Sequence, residues 1–549
     1  MTGGRALCAV AALCLLGAPL SAQRADSLGV TTSELGARLR LLSSDLFEGR
    51  YPGTQAEALT TAYLVSELQG FGALPAGASA DRDSSAQWLQ PITILSYRSD
   101  STSPNTARLS GRVTRTLEHG REIRFAAYSD RADVETGGEL VFAGYGIDAP
   151  IYQWNDFDGV DLRGKIVVAL PGEPALHDDT TAFNWLRASR YLWPSEKIRA
   201  MRERGAIGVL WIRPAGTLQR GPVTGTRRLL SAATGDSIMF AGGISDSVVA
   251  SLLPPGSPSF RALIATANAR GARAIPLGVR LDLHFRTVPT PVTTHNVVAT
   301  VRGHDPMLAR EHVVLSAHWD AYGIGPAVAG DSIYNGALDD GAGTTSLLAL
   351  ARVFARHPQR RSITFLFATA EEWGLIGSTA FACEGPIPAA RIVANLNLDN
   401  GLELLGPTRD VAPLGIELSS LGATVAKVAR RAGLTVSPDP APSEGYFLRA
   451  DNFPFALAGV PSLYMGLGMQ LVKQRPEYVK AKVDEYLARH YHRPSDEYDT
   501  VALDLTGSKQ FTEFVRDVTI DVANAPARPE WNRGAEFQRA GTAAGRCAR

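Results

Sequence analysis

The chain has 549 residues, too many for one ordinary hydrophobic core, so two or more domains are expected. Hydrophobic residues make up 45% and charged residues 20%, the balance of a soluble globular protein. Lys+Arg and Asp+Glu both number 55, and the formal charge of zero points to neither a nucleic-acid-binding surface nor an acidic tail.

At the N-terminus Arg5 precedes an apolar stretch from Ala6 to Leu16, then Gly17, Pro19 and the small residues Ser21 and Ala22. That order predicts a secretory signal peptide over 1–22 and an exported protein, periplasmic or extracellular. Leu7 and Leu13 stand before Cys8 and Cys14, where a lipoprotein signal needs a small residue. No later segment is long and apolar enough to span a membrane. Past the signal only Cys383 and Cys547 remain, either a pair or two separate thiols.

From Ser33 to about Gly72, leucines recur at helical spacing on both sides of the turn-rich EGRYPGT segment, so two helices are expected. Residues 98–125 read as strands and turns. From about Gly137 the texture changes. ELVFAGYGI and GKIVVAL are Val- and Ile-rich runs bounded by Gly and Pro, the pattern of strands, and EKIRAMRERGAIGVLWI predicts a helix closed by Gly205 and then a strand. His177 and His284 lie alone here and read as ordinary histidines. From His295 strands and helices alternate: HNVVATV, HVVLSAH, the helix TTSLLALARVFARH with Leu347, Leu350, Val353 and Phe354 on one side, SITFLFATA, the helix GLIGSTAFA, and RIVANLNLD. This alternation implies an α/β fold with a mixed, mostly parallel central sheet flanked by helices. The polar tail, 523–549, is expected to be flexible.

In such sheets the working residues gather beyond the carboxyl ends of the strands. His318 follows VVLSA, Glu371 and Glu372 follow FLFATA, Asp399 follows VANLNL, and Asp339 lies in a Gly-rich loop entering a helix. With His492 of YHRPSDEYDT they supply two imidazoles and a set of carboxylates, a donor set suited to two zinc ions and metal-assisted hydrolysis. Asp320, two residues after His318, is placed to accept that ring's other N–H and orient it. Of the pair Glu371-Glu372, one binds metal and the other stays free as a general base. The Asp339-Asp340-Gly-Ala-Gly loop also suits a helix N-terminus, so the metal-binding aspartate is expected to cap the helix as well. Tyr491 offers a phenol that can donate to a developing oxyanion.

These segments, in this order, resemble the co-catalytic dizinc exopeptidase family that includes secreted aminopeptidases, aminopeptidase Y and glutamate carboxypeptidase. The resemblance runs from LLSSDLFEGRYPGT to about residue 520. It implies that His318 and Asp399 hold one zinc, that Glu372 and His492 hold the other, and that Asp339 bridges them. It makes Glu371 the general acid/base and places Arg449 near the substrate. The family often has Ser-Asp-His after that arginine; here Ala450, Asp451 and Asn452 stand instead, with the aspartate kept. The segment FAGYGIDAPIYQWNDFDGVDLRGKIVVAL resembles the protease-associated domain often inserted in this family, which implies a discontinuous catalytic domain, 33–125 and 289–522, around a mainly-β insert, 126–288. The implied activity is removal of N-terminal residues from peptides with a free N-terminus. A carboxypeptidase or dipeptidase of the same fold is the alternative, a single-zinc glutaminyl cyclase-like acyl transferase a weaker one. A non-catalytic receptor-like relative is disfavoured because no ligand is missing. The oligomeric state is left open.

Overall fold

The computed structural model describes residues 29–77, 86–100, 105–128, 131–176, 183, 188–218, 224–228, 238–399 and 401–537. The expected signal peptide, His177, Asn400 and Cys547 lie outside these residues. Within them, Cys383 is disulfide-bonded.

Two helices open the described chain. Thr31 caps Thr32–Leu42 by accepting from the Glu34 N–H at 3.1 Å, and Leu35, Leu39 and Leu42 fall on its buried face. The second helix, Gln55–Phe71, buries Thr60, Leu64 and Leu68 and stops at Gly72, whose φ of 82° lets the chain turn back on the helix end. Between them, Asp45–Arg50 forms a short 3₁₀ segment that delivers Arg50 into the interior.

The first sheet has a parallel core of four strands, in the order Ser462–Met465, Ile392–Leu398, His312–His318 and Ser362–Ala368. It continues antiparallel through the C-terminal part of Ile275–Val301, then Leu89–Ser99 and Thr224–Arg228. One face packs on Gln55–Phe71, Ala342–Arg356, Leu421–Arg431 and Thr506–Asn524 through Leu64, Leu347, Phe354, Phe365, Leu396 and Val515. The other face packs on Ile376–Glu384 and Asn452–Leu457 through Val314, Leu366, Phe381 and Phe455. The mixed, mostly parallel sheet flanked by helices is the architecture expected. Ala342–Arg356, however, is not the one-sided helix its leucines suggest. Leu348 and Ala351 are buried in the main core as well, and the first helix covers Ala349 and Val353.

The N-terminal part of Ile275–Val301 enters a second sheet. There it pairs with Thr106–Gly111 and Asp133–Phe142, followed by Ile166–Ala169, Gly208–Arg213, Phe240–Ser245 and Ile123–Ala127. This sheet has its own core around Leu109, Phe125, Leu140, Val168, Phe240 and Leu281. Strand pairing changes sheet near residue 100, before the boundary expected at 125, and Thr224–Arg228, inside the expected insert 126–288, pairs with Leu89–Ser99 of the first sheet. Strands 106–111 and 123–127 are short, and nothing in their composition says which sheet they join.

The tail expected to be flexible from 523 is packed as far as Phe537. Arg528 donates to Glu311 at 2.7 Å, and the Trp531 indole donates to the Gly459 carbonyl at 3.0 Å. Phe537 is 5% exposed and packs with Phe447, Phe453 and Trp531. Two aromatics in a polar stretch outweigh its composition once a groove receives them. Phe537→Ala is expected to cost about 3 kcal/mol of stability, seen as a lower urea midpoint or melting temperature. A mobile tail would show no change.

Candidate functional site

The sheet's parallel strands end together, and their last residues face one depression. His318 closes its strand, Glu371 and Glu372 follow Ser362–Ala368, and Asp399 follows Ile392–Leu398. Asn296 fixes the loop that carries the two glutamates. Its amide oxygen accepts the Thr369 N–H at 2.9 Å and its NH2 donates to the Gly377 carbonyl at 2.9 Å. Asp339 arrives from the opposite side, just before Ala342–Arg356. Gly343 permits that approach, since a Cβ there would stand 2.0 Å from the Leu398 carbonyl oxygen and 2.3 Å from Asp340 Oδ1.

Asp339 stands between the two histidines. Its Oδ1 lies 3.2 Å from His318 Nε2 and its Oδ2 lies 3.3 Å from His492 Nε2. Glu372 reaches His492 Nε2 at 3.2 Å, and Glu371 lies 4.0 Å from His318 Nε2. The donor atoms form two clusters, His318 with Glu371 and Asp399, and Asp339 with Glu372 and His492. Each is compact enough for one cation. His318 Nε2 is buried without an aligned hydrogen-bond partner, among carboxylate oxygens, as suits a metal ligand.

Both rings have a second contact, and for His492 it is the Tyr322 hydroxyl, which also lies 3.4 Å from Nε2. His318 Nδ1 faces the Asp320 carbonyl oxygen at 3.1 Å, and His492 Nδ1 faces the Tyr322 hydroxyl at 3.1 Å. In a neutral ring with its N–H on Nδ1, Nε2 would present its lone pair toward Asp339, as a metal ligand needs. The Asp320 side chain does something other than expected. Its Oδ1 is 3.7 Å from His318 Nδ1, whereas its two oxygens accept the N–H groups of Glu371 at 3.1 Å and Glu372 at 3.4 Å. Asp320 thus orients His318 through its backbone and the two glutamates through its carboxylate. The helix contact expected of Asp339 belongs to Asp340, which accepts from Gly343 N–H at 3.0 Å and His318 N–H at 3.1 Å.

Tyr491 stacks on His492, ring centres 3.6 Å apart, so its ring helps hold that imidazole. Arg449 lies over the Tyr446 ring at 5.6 Å and near enough to Tyr491 for its charge to favour the phenolate. The Tyr464 hydroxyl donates to the Asp399 carbonyl. Sequence reasoning missed Tyr322, Tyr464 and the backbone role of Asp320. Tyr322 does stand within the AHWDAYG segment, two residues past Asp320.

Electrostatically the depression is a cation trap. Burial, then neighbouring acids, raise the carboxyls of Glu371 and Asp399 well above the usual range, though His318 opposes the rise. Burial and the Asp339 charge push Glu372 up to about 7. Burial works against a charged His492, but Asp339 and Glu372 outweigh it and push the ring up to about 9. Asp339 itself is lowered: burial opposes this, and the two histidines prevail.

Residues 296–519 match the model of Peptidase family M28. The chain is 32% identical over 126 residues to a probable leucine aminopeptidase 2 of Aspergillus oryzae, a match covering 22% of this chain and 23% of that relative. It is 36% identical over 101 residues to a vacuolar membrane protease of Kluyveromyces lactis, covering 18% and 10%. Among solved structures it is similar to an aminopeptidase from Aneurinibacillus sp. strain AM-1, with a TM-score of 0.48, 18% identity, and coverage of 91% of this chain and 96% of that one.

Cation binding here must displace protons. The neighbouring carboxylates favour a protonated His492 and burial favours a protonated Glu372, so a cation bound at these donors would release protons to the solvent. Zinc affinity of the metal-free protein is expected to rise with pH up to about 9, with at least one proton released per chain in a weakly buffered titration at pH 8. A pH-independent affinity from 6 to 9 contradicts this electrostatic picture.

Proposed function

We infer, from the Peptidase family M28 domain at residues 296–519, that this chain is a zinc-dependent exopeptidase acting as an aminopeptidase on peptides. The observation that carries this reading is Asp339, with one carboxylate oxygen toward each histidine, beside the carboxylate of Glu371. His318 and Asp399 would hold one zinc, Glu372 and His492 the other, and Asp339 would be shared. Two zinc ions, when bound, supply an activated water and polarise the scissile carbonyl.

The chain's own groups do the rest. Glu371, held by its N–H on Asp320, takes the proton from the attacking water and passes it to the departing amine. Burial among acids gives its carboxyl a high proton affinity, which suits that shuttle. Tyr491, beside His492, donates to the oxyanion, and Arg449 lines the same side of the site. The acidic surroundings of Glu371 and Asp399 receive the free α-ammonium of a peptide. A carboxypeptidase would need a pocket of cations for a terminal carboxylate, and Arg449 alone does not make one. Arg50 cannot serve, because it is fully buried with its donors spent on four backbone carbonyls.

The N-terminal apolar stretch supports export, and the disulfide at Cys383 agrees with an oxidising compartment. No helix among the described residues is long and apolar enough to cross a membrane. The second sheet, interposed between strands of the first, supports the reading of a protease-associated insert.

A leucyl chromogenic amide is expected to be cleaved and its N-acetylated form spared, with chelator abolishing turnover. Cleavage of neither by protein carrying two zincs would sink the aminopeptidase reading and bring carboxypeptidase or dipeptidase activity forward. Glu371→Gln should lower kcat by about 10²–10⁴-fold while zinc content stays unchanged; loss of zinc instead would make Glu371 a ligand.

A further inference from the structure

The five residues from Asn335 to Asp339 have no regular strand or α-helix to hold them, yet Asp339 must meet both histidines. Their backbone is gripped from two sides. Arg50 takes carbonyls: Nη1 donates to Asn335 O at 2.6 Å and Nη2 to Gly336 O at 2.8 Å. Asp496 takes amides: Oδ1 accepts from Leu338 N–H at 3.0 Å, Oδ2 from Asp339 N–H at 3.2 Å, and its backbone oxygen from Ala337 N–H at 3.0 Å. Arg50 is 0% and Asp496 2% exposed, so neither grip is loosened by water.

Arg50 also donates through Nε to Trp319 O at 2.7 Å and through Nη1 to Leu42 O at 2.9 Å. One planar guanidinium therefore ties the residue after His318 to the segment before Asp339. Lysine, a point charge with three donors, cannot reproduce that fork. Asp496 in turn lies four residues past His492 and accepts the Tyr486 hydroxyl at 3.1 Å. The two residues thus link Asp339 to the segments carrying both histidines.

We propose that Arg50 and Asp496 are positioning residues, an oppositely charged clamp on 335–339 that sets Asp339 between His318 and His492. The proposal rests on the reading of Asp339 as the shared ligand. Neither residue is among the donor atoms of the site. Their opposite charges make the grip directional. The cation binds only acceptors and the anion only donors, so the segment cannot slip by one peptide group without repulsion.

The test uses the full chain as Arg50→Lys, Asp496→Asn and Tyr486→Phe. Stoichiometry and stepwise affinity for Zn²⁺ are measured by competition with a chromophoric chelator, and kcat and KM on the leucyl amide. Arg50→Lys and Asp496→Asn are each expected to weaken the second zinc by roughly 10- to 100-fold. At limiting zinc kcat should fall with KM unchanged, and excess zinc should restore much of it. Tyr486→Phe, which deletes one oxygen, should show a smaller loss of the same kind. It decides the matter if the other two fail to fold. Variants that bind both zincs like the parent overturn the clamp, as does an activity loss that excess zinc leaves untouched. A parent chain that binds fewer than two zincs removes the premise of a shared ligand instead, so the two failures are distinguishable.

Discussion

Burying this many carboxylates together is the constraint on which the rest depends. Asp320, Asp340, Asp451 and Asp496 are almost inaccessible, and Asp339, Glu371 and Glu372 are little more exposed. Among the described residues, the cations set against them are Arg50 and the imidazoles of His318 and His492. Two like charges 4 Å apart repel by about 4 kcal/mol even at an effective dielectric of 20. Such a cluster must keep protons or take cations. The raised carboxyls of Glu371, Glu372 and Asp399 are the first response, and binding of divalent cations would be the second. Packing alone would favour apolar residues here, so the acids are a cost borne for their chemistry.

The fold limits that cost by giving the acids backbone N–H groups. Asp320 binds the amides of Glu371 and Glu372, Asp340 those of His318 and Gly343, and Asp496 those of Leu338 and Asp339. Each carboxylate partly neutralised in this way also fixes a stretch of chain that bears a donor. The parallel strands bring the stretches to one edge, and Gly343 lets the following helix close up behind Asp340. Electrostatic relief and geometric placement are the same set of hydrogen bonds.

Much of this was legible in the sequence, for a definite reason. His318, Glu371, Glu372 and Asp399 follow apolar β-runs directly, and a parallel sheet aligns such ends without further information. Arg50 was not legible. It sits in the turn-rich EGRYPGT segment, and its partners lie at Trp319, Asn335 and Gly336, across a separation that no local pattern encodes. Asp496 was visible as part of YHRPSDEYDT but passed as spacer, because it works through backbone amides, which sequence does not display. The tail misled in the opposite sense: its composition is that of a mobile segment, while Trp531 and Phe537 fill a groove built by Phe447 and Phe453. Composition reports what a segment can solvate, and burial depends on what awaits it.

Adjacent residues repeatedly divide the work. Asp339 faces the two histidines while Asp340 binds amides at the start of Ala342–Arg356. Glu371 lies toward His318 and Glu372 toward His492, so one two-residue unit serves both ends of the site. His492 points a ring nitrogen at Asp339 while Tyr491 stacks on its face. Successive side chains leave the backbone in different directions, so a single turn can present one group to the donors and anchor itself with the next. The arrangement has a structural consequence. A donor whose sequence neighbour is its own anchor cannot move independently of the loop. The spacing between His318, Asp339 and His492 is therefore fixed by the backbone more than by side-chain rotamers, and the residues that hold that backbone matter to the site even though they are not among its donors.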